Sequence, residues 1–174
     1  MKRLFALALF IPLVAHAAWG EFDYDFENEK PWKELESQLP APPKDENLLP
    51  FQVSAATDNA FYVDSQSISV GEDGVVRFTL VVKSPEGASN VMFEGIRCRT
   101  KEVRLYAFGR SDGTWGKARD NEWKPIHYER RNRPDHVLYD DFFCPREIIV
   151  TDPAEAIDAL KRGNHPRAGK STWF

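Results

Sequence analysis

The sequence predicts an α+β fold: a five- or six-stranded antiparallel sheet running as a meander, with one or two helices packed on one face. Three observations carry this reading. Strand-like runs succeed one another between residues 51 and 128 with short links, and short links permit only antiparallel neighbours. Several runs alternate apolar and polar residues at period two, which gives a sheet one buried face. Two later segments, 134–142 and 152–162, have helical signals and are available to cover that face.

In chain order, residues 1–17, MKRLFALALFIPLVAHA, read as a signal peptide. Lys2 and Arg3 form its basic end, Leu4 to Val14 its apolar run, and Ala15-His16-Ala17 a small-x-small cleavage site. The apolar run is shorter than the ~20 residues a membrane span needs. Residues 18–50 form an acidic, proline-rich arm and linker, with nine acids against three bases. Pro31 suits the first position of a short helix to Gln38, and Pro40, Pro42 and Pro43 then enforce extended chain. The arm's aromatic residues, Trp19, Phe22, Tyr24, Phe26 and Trp32, either lie in solvent or dock on the domain or a partner.

Residues 51–162 are read as a single domain. Phe61–Val63 and Ile68–Val70 are short extended runs, and Gly71-Glu72-Asp73-Gly74 is a hairpin connection. In the strand from Val75 to Val82, residues Val76, Phe78, Leu80 and Val82 share one face, and Arg77 and Thr79 the other. Val91–Arg99 follows, with Ile96 and Cys98 inward. Val103, Leu105 and Ala107 form the next inward set, Trp115 starts another strand, and 123–128 is a weaker one. The segment 134–142 is helical, with Leu138 and Phe142 at i and i+4. The second helix, 152–162, has Thr151 or Asp152 as cap, Pro153 in its first turn and Gly163 as its stop. Residues 163–174 read as a disordered tail.

Charge is uneven. The formal net charge of −4 becomes −6 without Lys2 and Arg3, and the arm alone carries −6. Residues 97–133 carry eleven bases and five acids. This is a local patch, not the basic footprint of a whole domain, so nucleic acid is not an expected partner. Arg97, Arg99, Arg104, Arg110, Arg130 and Arg131 are candidates for an anion or partner face, since guanidinium forks suit carboxylates and phosphates. The alternative is an ordinary charged sheet face. The acidic arm is itself an obvious occupant.

Two cysteines, Cys98 and Cys144, in one exported domain are expected to pair. A zinc site or a reactive thiol is the alternative, but no histidine forms a close pair with either cysteine. Gly109-Arg110-Ser111-Asp112-Gly113 matches the G-x-S-x-G of hydrolase nucleophile elbows, yet these are also turn residues. His127 and Glu129 share a face if they lie on a strand, and could serve acid–base or metal chemistry. Exposed pairs of this kind are common. Asp140-Asp141 reads as solvated helix surface. No cofactor or metal is expected.

The runs PWKELESQLPAPPKDENLLPF, FYVDSQSISVGEDGVVRFTLVVKSPEGASNVMFEGIRC, YAFGRSDGTW and LYDDFFCP together resemble the CNP-one-like family of exported Gram-negative bacterial proteins. The resemblance runs from about Trp32 to Pro145 and implies an envelope setting, in the periplasm or at the outer-membrane surface. It implies no activity. Cys98 and Cys144 correspond to the family's cysteines. A fainter, fold-level likeness links the VDSQSI and VRFTLVV pattern to surface-adhesin E-like domains. The expected function is a non-catalytic module that binds an envelope protein or other envelope component, through the arginine face and exposed aromatics such as Tyr62, Tyr106 and Trp115. The second expectation, from another class, is a small periplasmic hydrolase or metal-dependent enzyme using His127 and Glu129, or Ser111.

Overall fold

A computed structural model describes residues 31–127 and 133–169. The chain divides into two units, Met1–Trp32 and Lys33–Phe174. The first, with the expected signal peptide and the aromatic residues up to Phe26, lies outside the described residues except for Pro31 and Trp32. Everything below concerns the second.

Seven strands form one antiparallel sheet: β1 (Leu48–Phe51), β2 (Ala60–Val70), β3 (Val75–Lys83), β4 (Ser89–Arg97), β5 (Glu102–Gly109), β6 (Trp115–Lys117) and β7 (Lys124–Pro125). They run in the order β1 to β6, with β7 beside β6 on β5. The expected meander is therefore present, with one strand more than the five or six predicted. The addition is β1, whose first three residues, Leu48 to Pro50, fall in the stretch assigned to the linker. It carries Pro50, which suits an edge strand because no ladder bond is lost on its open side.

Three hairpins share one chemistry. At Gly71–Val75, Ser84–Ala88 and Arg110–Thr114 the first residue accepts from a glycine three positions on, and donates to the carbonyl four positions on. The glycines, Gly74, Gly87 and Gly113, have φ of 76°, 91° and 80°, which a side chain would resist. Gly109–Gly113 is thus a β5–β6 hairpin and not a strand-to-helix elbow. Phe61–Val63 and Ile68–Val70 belong to one long strand, broken by an irregularity between Asp64 and Ser69. Here Ser67 Oγ donates to Asp64 O at 2.7 Å and accepts from Thr79 N–H at 2.7 Å, replacing the ladder bonds.

One sheet face carries the core: Phe51, Phe61, Val63, Val76, Phe78, Leu80 and Ile96 are buried there. It is covered by α1 (Pro134–Val137), a π-helix (Leu138–Phe143) and α2 (Pro153–Arg162). The helix expected over 134–142 therefore starts as α and widens to π. The wider turn brings Leu138, Tyr139, Phe142 and Phe143 all inward, each at most 1% exposed. Phe143 meets Phe78 with ring centroids 5.0 Å apart, and Phe142 meets Phe51 at 5.9 Å. Asp141, expected in solvent, is buried, and its carbonyl accepts from His165 N–H. Cys98 and Cys144 are joined, with Cα atoms 5.5 Å apart. The bridge ties the end of the π-helix to the sheet.

The other face is not the open polar surface predicted from Arg77 and Thr79. Val75, Arg77, Thr79, Val81 and Phe93 on it are all buried. An extended strap from the arm lies on part of it. Leu35 N–H donates to Asp73 and its carbonyl accepts from Arg77. Pro40 O accepts from Trp115 Nε1 at 2.8 Å. The short helix expected to Gln38 does not form, because the backbone groups of Leu35 bond to the sheet instead.

The expected tail is also corrected as far as Gly169. His165 is buried, its Nε2 lies 2.9 Å from Glu155, and Arg167 binds the same carboxylate at 2.6 Å. Residues 170–174 lie outside the described residues.

Candidate functional site

The strap is fastened through one side chain, Glu34. Its Oε2 accepts from Arg104 Nη1 and from Trp123 Nε1 at 3.0 Å; its Oε1 accepts from Tyr106 Oη at 2.6 Å. Arg77 Nη2 stands 3.6 Å from Oε1 while binding Asp73 at 2.6 Å. Burial, and then the hydrogen bond to Glu34, raise the Tyr106 hydroxyl above its usual range. Gly95 makes the arrangement possible: a Cβ there would come within 2.6 Å of Tyr106 Oη. The clamp is an anion site whose occupant is the chain's own carboxylate.

A second site lies on the helix-layer side of β4 and β5. A register irregularity between Phe93 and Glu94 of β4 shifts the pairing, so Ala107 opposes Phe93 and Phe108 opposes Met92. Ala107, predicted inward with Val103 and Leu105, is buried but on the strap face, and Phe108, 45% exposed, stands on the helix-layer face instead. Met92, Val103, Leu105 and Phe108 then form the apolar floor of a half-open cleft of about 540 Å³, closed at one side by the β6–β7 connection and by Asp135 of α1. Glu94 also lines it.

Glu94 is 7% exposed, and its enclosed Oε2 has no hydrogen-bond partner among the described residues. Burial, and then the charge of Asp135, push its carboxyl well above the usual carboxylate range, with Arg133 acting the other way. Burial raises Asp135 too, against the pull of Arg133, whose Nη1 lies 3.7 Å away. The mouth carries exposed charges of both signs: Lys117, Arg119 and Glu122, and Lys124 bonded to Asp120.

The residues singled out from sequence fall in several places. Arg104 belongs to the Glu34 clamp; Arg97 stands 3.7 Å from Glu102; Arg110 bonds Thr114 and Trp115 O at the hairpin tip; Arg99 is exposed after β4. Arg130, Arg131 and Glu129 lie outside the described residues. His127 and Ser111 are exposed. Of the aromatics read as exposed, Tyr106 and Trp115 pack on Phe93 at 5.3 and 6.1 Å, and Tyr62 lies half-buried beside Lys83. Among the described residues no group of three His, Cys, Asp or Glu side chains could hold a metal, and no helix is long and apolar enough to cross a membrane.

Glu94 was missed, although its signal was present. The inward positions Ile96 and Cys98 count back at period two to Glu94 and Met92, so a carboxylate stands in core phase on a central strand. Arg77 is on the face the periodicity gives it, but buried there and not solvent-facing.

No curated protein and no solved structure matches the chain. The match that does emerge spans residues 27–161, from the arm through the sheet to the end of α2, and on its strength the chain belongs to the CNP1-like family.

Proposed function

We propose that this chain is an exported, non-catalytic binding module of the bacterial envelope, and that the cleft over β4 and β5 is its binding site. One observation carries the reading: the cleft joins an apolar floor to a buried carboxylate, Glu94, that has no hydrogen-bond partner among the described residues. Ligand pockets have this character, a mostly apolar wall with few convergent polar groups, and volumes of ~300–1,000 Å³. The setting rests on the N-terminal residues and on a disulfide of the kind that persists in oxidising compartments. The protein then acts by holding an envelope component. No observation favours the acid–base alternative, since His127 is exposed and nothing described converges on it.

The test has two arms. Alkylation of intact cells, with and without prior reduction, and osmotic release report compartment and thiol state; free thiols in a cytoplasmic fraction overturn the setting. A fragment library titrated into labelled protein reports the site. Shifts concentrated at Met92, Leu105 and Phe108 support the cleft, and shifts concentrated elsewhere, or none, overturn it.

A further inference from the structure

We infer that the cleft recognises a primary ammonium group on a short apolar chain, with Glu94 and Asp135 as its counter-charge and Met92, Val103, Leu105 and Phe108 as the surface for the chain. This rests on the cleft being the binding site. The argument starts from what Glu94 lacks. A buried carboxyl oxygen without a donor costs free energy, and the side chain that carries this one lines a cavity open to solvent. A donor held in the cavity removes that cost once the carboxyl turns towards it.

Charge then selects the kind of donor. A second buried carboxylate, Asp135, shares the cleft, and burial and the charge of Asp135 both disfavour ionisation of Glu94. A neutral amide or hydroxyl would satisfy Oε2 but leave the repulsion between the two carboxyls. An ammonium supplies up to three donors and one positive charge in a small volume, so it relieves both. An anionic head would meet the same two acids and be repelled. The cations near the site, Lys117, Arg119, Lys124 and Arg133, are exposed. Solvent screens the three on the cleft mouth, Arg133 at 3.7 Å offsets part of the charge of Asp135, and Glu94 stays enclosed with no donor on Oε2 among the described residues. The apolar floor beside Glu94 sets the rest of the ligand: a few methylenes, not a sugar or a nucleotide.

The experiment titrates hexylamine, hexanol and hexanoate into the full mature chain, followed by amide shifts and calorimetry. These probes share one chain length and differ in the head. Hexylamine is expected to bind at the cleft at least tenfold more tightly than either of the others. Glu94→Gln is expected to lose at least tenfold in hexylamine affinity while keeping hexanol affinity, which also shows that the variant is folded. Asp135→Asn is expected to lose affinity in the same direction. Hexanol equal to hexylamine, hexanoate tighter than hexylamine, or an unchanged Glu94→Gln overturns the inference but leaves the cleft as the site. Absence of shifts at the cleft with all three overturns the inference and the proposed site together.

Discussion

At the scale of single residues, two carboxylates, half-buried Glu34 and buried Glu94, divide the molecule's chemistry between them. Glu34 has every need met: two arginines, a phenol and an indole surround it. Hydrogen bonds to charged groups are worth ~1.5–3 kcal/mol each, net of solvation, and removing one partner leaves others buried without it. Glu34→Ala is therefore expected to cost about 2 kcal/mol in urea denaturation and to abolish the exchange protection of the Leu35 amide. Retained protection would mean that the strap is held by its other contacts. Glu94 has the opposite balance, since its enclosed oxygen meets no donor. Glu94→Leu, which extends the floor of Met92 and Leu105, is expected to stabilise the protein by ~1–3 kcal/mol at neutral pH, the cost of one buried unsatisfied group. The sign with pH follows from a folded pKa raised above the ordinary 4.5. The folded state holds the proton more tightly, so the wild type is penalised as pH rises from 4.5 towards that raised value. The gain from Glu94→Leu should thus shrink below pH 4.5, where the group is neutral in both states. A gain that is equal at both pH values would assign the effect to packing alone.

At the scale of elements, what was legible in the sequence is what local rules decide. Helix α2 was readable because its signals lie within its own span: Asp152 accepts from Glu155 N–H at 2.9 Å, Pro153 opens it, and Gly163 ends it at φ 84°. The hairpins were readable for the same reason. The π-helix was not, because its widening turns four side chains inward, two of them onto Phe51 and Phe78 of strands far away in sequence. Charge pointed to the arm as an occupant of the basic face, but its extended path was not readable, because Leu35 and Glu34 find their partners on β3, β5 and their turns. The floor of the cleft was only half readable: periodicity gives Val103 and Leu105, but the β4–β5 irregularity that puts Phe108 on the same face has no local marker. The end of α2 supports a prediction of its own. Burial opposes ionisation of Glu155, but hydrogen bonds from Thr151, His165 and Arg167 outweigh it and hold the carboxyl at about 2. A depressed folded pKa gives stability that is complete above the ordinary 4.5 and is lost as pH falls towards 2. The wild type is expected to lose more of its urea midpoint than Glu155→Gln over that interval, with the Glu155 carboxyl carbon titrating near 2 by NMR. A carboxyl titrating at its ordinary value would break the link between the tail and α2.

At the scale of the whole fold, the sheet is a middle layer held from both sides by different means. The strap side is fastened by charge, through Glu34, Arg77 and Arg104. The helical side is fastened by apolar burial and one covalent bond, between Cys98 at the end of β4 and Cys144 at the end of the π-helix. The division matters because the cleft is built from both β4–β5 and α1, so the helical layer must keep its place for Asp135 to stand in the same cavity as Glu94. The bridge closes a loop of 46 positions, and chain entropy then gives ~4 kcal/mol at the upper end, with ~2–4 kcal/mol typical of measured bridges. Replacing both cysteines by alanine is therefore expected to lower stability by about 2–4 kcal/mol in urea. The loss should not be uniform. The Leu35 amide, on the far side, should keep its exchange protection up to global unfolding, while amides of the π-helix such as Cys144 N–H, bonded to Tyr139 O at 2.8 Å, should open first. Amine binding at the cleft should weaken in the same variant even under conditions where it stays folded, since only one wall of the cavity has been loosened. A double variant with unchanged stability and unchanged exchange at the Phe142 and Phe143 amides would mean that packing against Phe51 and Phe78 alone holds the layer in register.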